Sequence, residues 1–194
     1  GMKSGIECDI FPIKKAKARD MAKYDVVALG TPIWYNRETL NMDLFILDMP
    51  NMIGKLCVPF CTHGVGPNGY MYNISRAIHK RGMTIIGWAD WYGSVFHVLH
   101  QPKPYYTDGH PDKVDLAEAE AFGRAMAERA QKIFDGETNL IPEVPDPKSD
   151  SIWRPMKMER QGAMSAMMGS MGGAGGQAGS QQGGMPGDQQ GGMP

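Results

Sequence analysis

The chain has 194 residues, 42% hydrophobic and 21% charged, with a formal net charge of −1. That length supports one domain with a real core plus additional segments, and the near-neutral balance gives no basic excess pointing to nucleic acid. No apolar run approaches the roughly 18 residues of a membrane helix, and the opening GMKSGIECDI lacks the charged-then-apolar order of a secretory signal, so a cytoplasmic protein is expected.

Taken in chain order, short β-branched or apolar runs predict strands at Ile6 to Phe11, Asp25 to Gly30, Leu56 to Thr62 and Met83 to Trp88. Gly30-Thr31-Pro32 reads as the stop of the second run. Between the second and third runs, Leu40, Leu44 and Leu47 recur at helical spacing until Pro50 ends the pattern. Between the third and fourth, Tyr70, Ile74, Ala77 and Ile78 share one face, and Gly82 stands where a left-handed C-terminal cap belongs. Pro111 and Asp112 open a last helix with acidic first turns, and its expected buried stripe is Leu116, Ala119, Gly123, Met126, Ala130 and Ile133. Alternating strands and helices predict a doubly wound α/β domain, a parallel sheet with helices on both faces.

The folded part is expected over residues 1–141. Residues 142–161 read as a Pro-rich linker in which Trp153 is the one aromatic, and residues 162–194 as a disordered tail of Gly, Met and Gln with QQGGMP occurring twice. Such a tail cannot bury enough apolar surface to offset its ordering entropy.

In open α/β sheets, ligands sit beyond the carboxyl ends of the strands. Three loops fall there: GTPIWYNRE from Gly30, THGVGPNGY from Thr62 and WADWYGSVFH from Trp88. The first and third offer flat rings, and Gly64, Gly66 and Gly69 let backbone amides approach a planar ligand. The set suits a flat, heteroaromatic, partly polar ligand. Cys57 and Cys61 share a strand face and read as ordinary packing, and no cysteine cluster of the ferredoxin type is present. His97, His100 and His110 lack the cysteines or paired carboxylates that would frame a metal, so no metal site is expected. Lys14 to Arg19 is a short basic patch on a solvated face.

The segments GTPIWYNRETLNMDLFI, FCTHGVGPNGYMYNISRAIHKRGMTIIG and DGHPDKVDLAEAEAFGRAMAE resemble, in order, the middle and C-terminal parts of flavodoxin-like proteins. The match runs over most of Ile6 to Phe134 and is closest to the flavodoxin-type domains of iron-sulfur-associated flavoproteins and quinone-reducing relatives. The resemblance implies flavin mononucleotide (FMN), its ring held by Thr31, Pro32, Trp34, Tyr35 and Asn36 of one loop and Thr62, His63, Gly64 and Gly66 of the next, with no catalytic side chain required. It implies an FMN-dependent redox flavoprotein, for electron transfer or NAD(P)H-linked reduction of a quinone or iron-sulfur partner.

The chain departs from that family at its start. Nothing before Ile6 matches the first strand or the hydroxyl-rich phosphate loop at a helix N-terminus. The preferred reading is a part of a longer protein; the other is that a second chain supplies the strand, as a homo-oligomer or as a separate subunit. In either case weak retention of FMN by this chain is expected. The alternative function is a non-catalytic flavodoxin-like subunit that uses its aromatic loops for protein contact.

Overall fold

The computed structural model describes residues 6–35, 37–64, 66–67, 69–94 and 107–144, all within one compact unit, Gly1–Arg154. A 3-10 helix, Ala18–Lys23, leads into strand β1 (Val26–Trp34), which turns back as the two-residue β2 (Arg37–Glu38). Helix α1 (Leu40–Leu47), strand β3 (Leu56–His63) and helix α2 (Tyr70–Lys80) follow, then the short strands β4 (Thr84–Ile85) and β5 (Ala89–Tyr92), and the long helix α3 (Lys113–Phe134).

The sheet is mostly parallel. β3 is its centre, pairing β1 on one side from Val26↔Leu56 to Pro32↔Thr62 and β4 and β5 on the other, from Leu56↔Thr84 to His63↔Tyr92. Side chains of β3 alternate between two cores, as the period of two requires. Cys57 and Cys61 join Val27, Leu29, Met42, Ile46, Tyr70, Ile74 and Ile78 under α1 and α2. Leu56 and Val58 join Ile86, Met126 and Ala130 under α3. Helices therefore lie on both faces of a mostly parallel sheet, the α/β arrangement that the alternating pattern predicts and that the resemblance to flavodoxin-like proteins implies. No helix among the described residues is long and apolar enough to cross a membrane.

Several expected details change. Ile6 to Phe11 forms no strand: Ile10 is 77% exposed, and among the described residues the strand beside β1 on the side away from β3 is the two-residue β2, at Ile33 and Trp34. An apolar run without a pairing partner has no ladder to join. The segment is instead tied down by Tyr24, whose hydroxyl donates to Asp9 Oδ2 at 2.7 Å, and by Ile13, which packs on the core. β1 does not stop at Gly-Thr-Pro, because Thr31 and Pro32 stay paired with Cys61 and Thr62 and β2 then pairs Ile33 and Trp34.

The expected strand Met83 to Trp88 is broken between Ile85 and Ala89. There the Ile86 carbonyl accepts from the Arg129 guanidinium at 2.7 Å, and a Cβ on Gly87 would lie 2.3 Å from Met126 Sδ. α3 thus sits nearly against the backbone at the break.

Two helix faces also differ from expectation. In α1, Met42 and Ile46 are buried, while Leu40, Leu44 and Leu47 are 69%, 53% and 66% exposed. The helix is apolar on nearly every side, so spacing alone cannot select the inward face. In α3, Met126 and Ala130 are buried, Ala119, Gly123 and Ile133 half-buried, and Leu116 exposed. Buried Asp115 occupies the first turn instead, closing a capping box with Asp112. Gly82 does adopt the left-handed conformation, φ 81°, where a Cβ would meet Ile53. The polypeptide beyond Ile141 still contributes to the core through Val144; Trp153 and the segment from 162 onward lie outside the described residues.

Candidate functional site

The site grows from the end of β1. Pairing Ile33↔Glu38 and Trp34↔Arg37 folds the chain back directly after β1, and Tyr35 takes φ 49° there. That left-handed conformation costs an ordinary L-residue roughly 1–2 kcal/mol. The tight turn projects both rings outward: Trp34 is 62% and Tyr35 93% exposed. Beside them is a cavity of about 410 Å³ whose walls include Arg37, Glu38, Thr39 and Leu40.

Glu38 is the unusual member. It is 3% exposed, and its Oε2 is buried without a hydrogen-bond partner. Arg37 lies 3.3 Å from Glu38 Oε1 and 2.6 Å from Asp43. Burial, reinforced by the adjacent Asp43 carboxylate, pushes the Glu38 carboxyl up to about 7. The sequence reading missed this residue. Its position three residues beyond the aromatic pair was visible, but the burial that makes it unusual comes from α2 packing over β2.

The expected ring-holding residues do not all serve one cavity. Trp34 and Tyr35 line it, and Asn36 lies outside the described residues. Thr31 is buried, its hydroxyl 3.1 Å from that of Thr39, so it fastens β1 to the start of α1. Pro32 is an exposed strand residue paired with Thr62. Thr62, His63, Gly64 and Gly66 lie at the end of β3 and after it, and are not in that cavity's wall. A Cβ on Gly66 would meet nothing within 4 Å, so no crowding within the protein demands glycine there.

His63 is buried, with Nε2 3.0 Å from Asp90 Oδ2 and Nδ1 without a partner. Tyr92 stands edge-on to it at 5.2 Å and to His110 at 5.6 Å, while Trp91 lies edge-on to Phe60 and Phe122. Trp91 and Tyr92 of the third loop are therefore core side chains of β5, because their strand pairs with the centre of the sheet; Phe96 of that loop lies outside the described residues. His110 Nδ1 lies 2.5 Å from Asp115, and these two with Asp112 place ligand atoms within 4.8 Å of one another. The capping box accounts for that convergence, since Asp115 also accepts from the Asp112 amide at 2.9 Å. His97 and His100 lie outside the described residues. Cys57 and Cys61 are free and buried, and burial pushes the Cys57 thiol well up, as expected of packing cysteines.

These side chains fit one part of a flavin. Exposed rings and a buried acceptor without a donor suit a flat ring carrying an imide N–H. The phosphate end has no counterpart among the described residues, where no helix opens on a hydroxyl-rich loop and neither α1 nor α2 carries a side-chain cap.

No family model matches the chain, and no curated protein matches it. Two similar solved structures are flavodoxins. A flavodoxin from the domain Archaea is 17% identical, with a TM-score of 0.49 over 67% of this chain and 82% of that one. Two-electron reduced Megasphaera elsdenii flavodoxin is 24% identical, with a TM-score of 0.43 over 46% of this chain and 67% of that one.

Proposed function

We propose that the chain is a flavin-binding electron-transfer module that takes the ring of FMN beside Trp34 and Tyr35. The observation that carries this reading is one cavity, at the carboxyl end of a parallel strand, lined by two exposed rings and by Glu38, whose buried Oε2 has no hydrogen-bond partner among the described residues. A bound flavin supplies the redox chemistry. The protein's part is to hold and orient the ring: Trp34 and Tyr35 stack on it, and ionised Glu38 accepts from its imide N–H. Donor and acceptor are a redox partner protein or a small acceptor such as a quinone. The edge of β1 from Val26 to Pro32, which no strand among the described residues pairs on the side away from β3, is where a further strand, from a second chain or from a longer form of this one, adds the phosphate-holding part.

Titration with FMN and with riboflavin, which has the same ring and no phosphate, tests both halves. Expected are weak binding, equal for the two within about threefold, and a loss of about tenfold in Trp34→Ala/Tyr35→Ala, the equivalent of 1.4 kcal/mol. Affinity should also fall as pH drops below about 7, where Glu38 takes up its proton. Much tighter binding of FMN than riboflavin would place a phosphate site in this chain. Failure of both to bind would overturn the ring site and favour the second reading, a non-catalytic subunit whose exposed Trp34 and Tyr35 contact protein.

A further inference from the structure

A second cavity, of about 750 Å³, is a groove between α1 and the segment from Ile13 to Asp20. Its floor is apolar: Ile13 and Phe45 pack on the core, and Leu44 is 53% exposed. Its wall is charged. Lys14 and Lys17 have no ion-pair partner among the described residues, and Arg19 meets Asp48 only at 3.8 Å with both groups exposed. An apolar floor beside two unpaired cations fits an acidic segment that carries large apolar side chains.

The chain itself continues into such a segment. Val144, the last described residue, packs on the same core as Ile13 and Phe45, so the polypeptide leaves the described structure from that core. PDPKSDSIWR follows, from Pro145 to Arg154, where the compact unit ends. Trp153 is the only aromatic residue beyond Val144 and Ile152 the only β-branched aliphatic one, so these neighbours are the apolar anchor of that stretch. Asp150 precedes the pair and Arg154 follows it, an order that answers the cations Lys14 and Lys17 and the carboxylates Asp20 and Asp48 of the groove. Trp153 lies nine positions beyond Val144. At about 3.1 Å per residue for a proline-rich stretch, those positions span about 28 Å, ample for a groove on the same core. Pro145 and Pro147 also restrict the free segment, which lowers the entropy cost of seating it.

We infer that the groove between α1 and Ile13 to Asp20 is the seat of the chain's own Ile152 and Trp153, an intramolecular strap that ties the linker to α1. The strap is independent of the flavin reading, since its contacts need no cofactor. While seated, it closes the groove to other acidic, apolar ligands.

The full chain labelled with 5-fluorotryptophan tests this by fluorine NMR, its four tryptophan signals assigned by replacement with phenylalanine. The Trp153 signal should stand apart from that of a synthetic peptide of residues 145–156. In Lys14→Glu/Lys17→Glu it should move at least halfway toward the peptide's position, while the signal of buried Trp91 stays in place. Cysteine crosslinking fixes the geometry, in a Cys8→Ser background because Cys8 is the exposed native thiol. Under mild oxidation Leu44→Cys/Ile152→Cys should close a disulfide within one chain, and Leu40→Cys/Ile152→Cys, with position 40 outside the groove, severalfold less. This second measurement decides the matter even if the charge reversal disturbs the fold. A Trp153 signal that coincides with the peptide's, crosslinking with no preference for position 44 over 40, or a disulfide that forms only between chains would each overturn the inference.

Discussion

The dipeptide Trp-Tyr occurs twice, each time at the carboxyl end of a strand, and its two copies have opposite roles. Trp34 and Tyr35 are 62% and 93% exposed, whereas Trp91 and Tyr92 are 8% and 2% exposed. The difference comes from what each strand pairs with. β5 lies beside the central β3, with α3 over one face, so its rings meet Phe60, Phe122, His63 and His110. β1 ends in a hairpin whose partner there, among the described residues, is the two-residue β2, and its rings stay exposed. Residue chemistry makes an aromatic pair a candidate for stacking on a ligand, but sheet position decides whether it is available.

The largest test of this contrast is Trp91→Ala, which should cost about 3–5 kcal/mol in urea unfolding, against no more than about 0.5 kcal/mol for Trp34→Ala. Equal costs would break the comparison. Two glycines sharpen it further. Gly87→Ala drives a Cβ into Met126 and should cost about 1–3 kcal/mol, whereas Gly66→Ala, in open space, should be neutral.

Glu38 contributes a smaller effect, with a definite sign. Its carboxyl is held above the usual carboxylate value, so the folded state binds the proton more tightly than the unfolded chain does. The contribution is fully present below about 4.5 and is lost as pH rises through about 7. Melting temperature should therefore fall between those pH values, and Glu38→Gln should flatten the slope, raising the melting temperature at pH 8 by roughly 2–4 °C. A slope that is unchanged in Glu38→Gln would show that another group carries it. The smallest effect is that of Tyr35→Gly. It relieves the left-handed turn at some cost in chain entropy, for a net gain of about 0.5 kcal/mol in stability, while weakening flavin binding. A loss of stability would mean that the ring is packed after all.

Elements with one strongly apolar face were legible in the sequence. α2 buries Tyr70, Ile74 and Ile78 as its spacing predicts, and Gly82 caps it. α1 misled because leucine, methionine, phenylalanine and isoleucine surround it, and only the sheet beneath selects Met42 and Ile46. α3 misled at Leu116 for a related reason: periodicity identifies a face but not what lies opposite each turn. Of the candidate site, the aromatic pair was readable. The burial of Glu38 and the His63–Asp90 pair was not, because both arise between strands or helices far apart in the chain.

The Arg129 bond to the Ile86 carbonyl joins α3 to the break between β4 and β5. Were α3 to lift away, that carbonyl would lose its partner and Met126 would leave the space above Gly87 empty. Fraying of the helix at this point is therefore coupled to loosening of the strand, and the two exchange their amide protons as one cooperative unit. The hairpin at Tyr35 is held to α1 by the Arg37–Asp43 ion pair, in which Arg37 is exposed, and such a surface pair resists local opening less than a buried bond does.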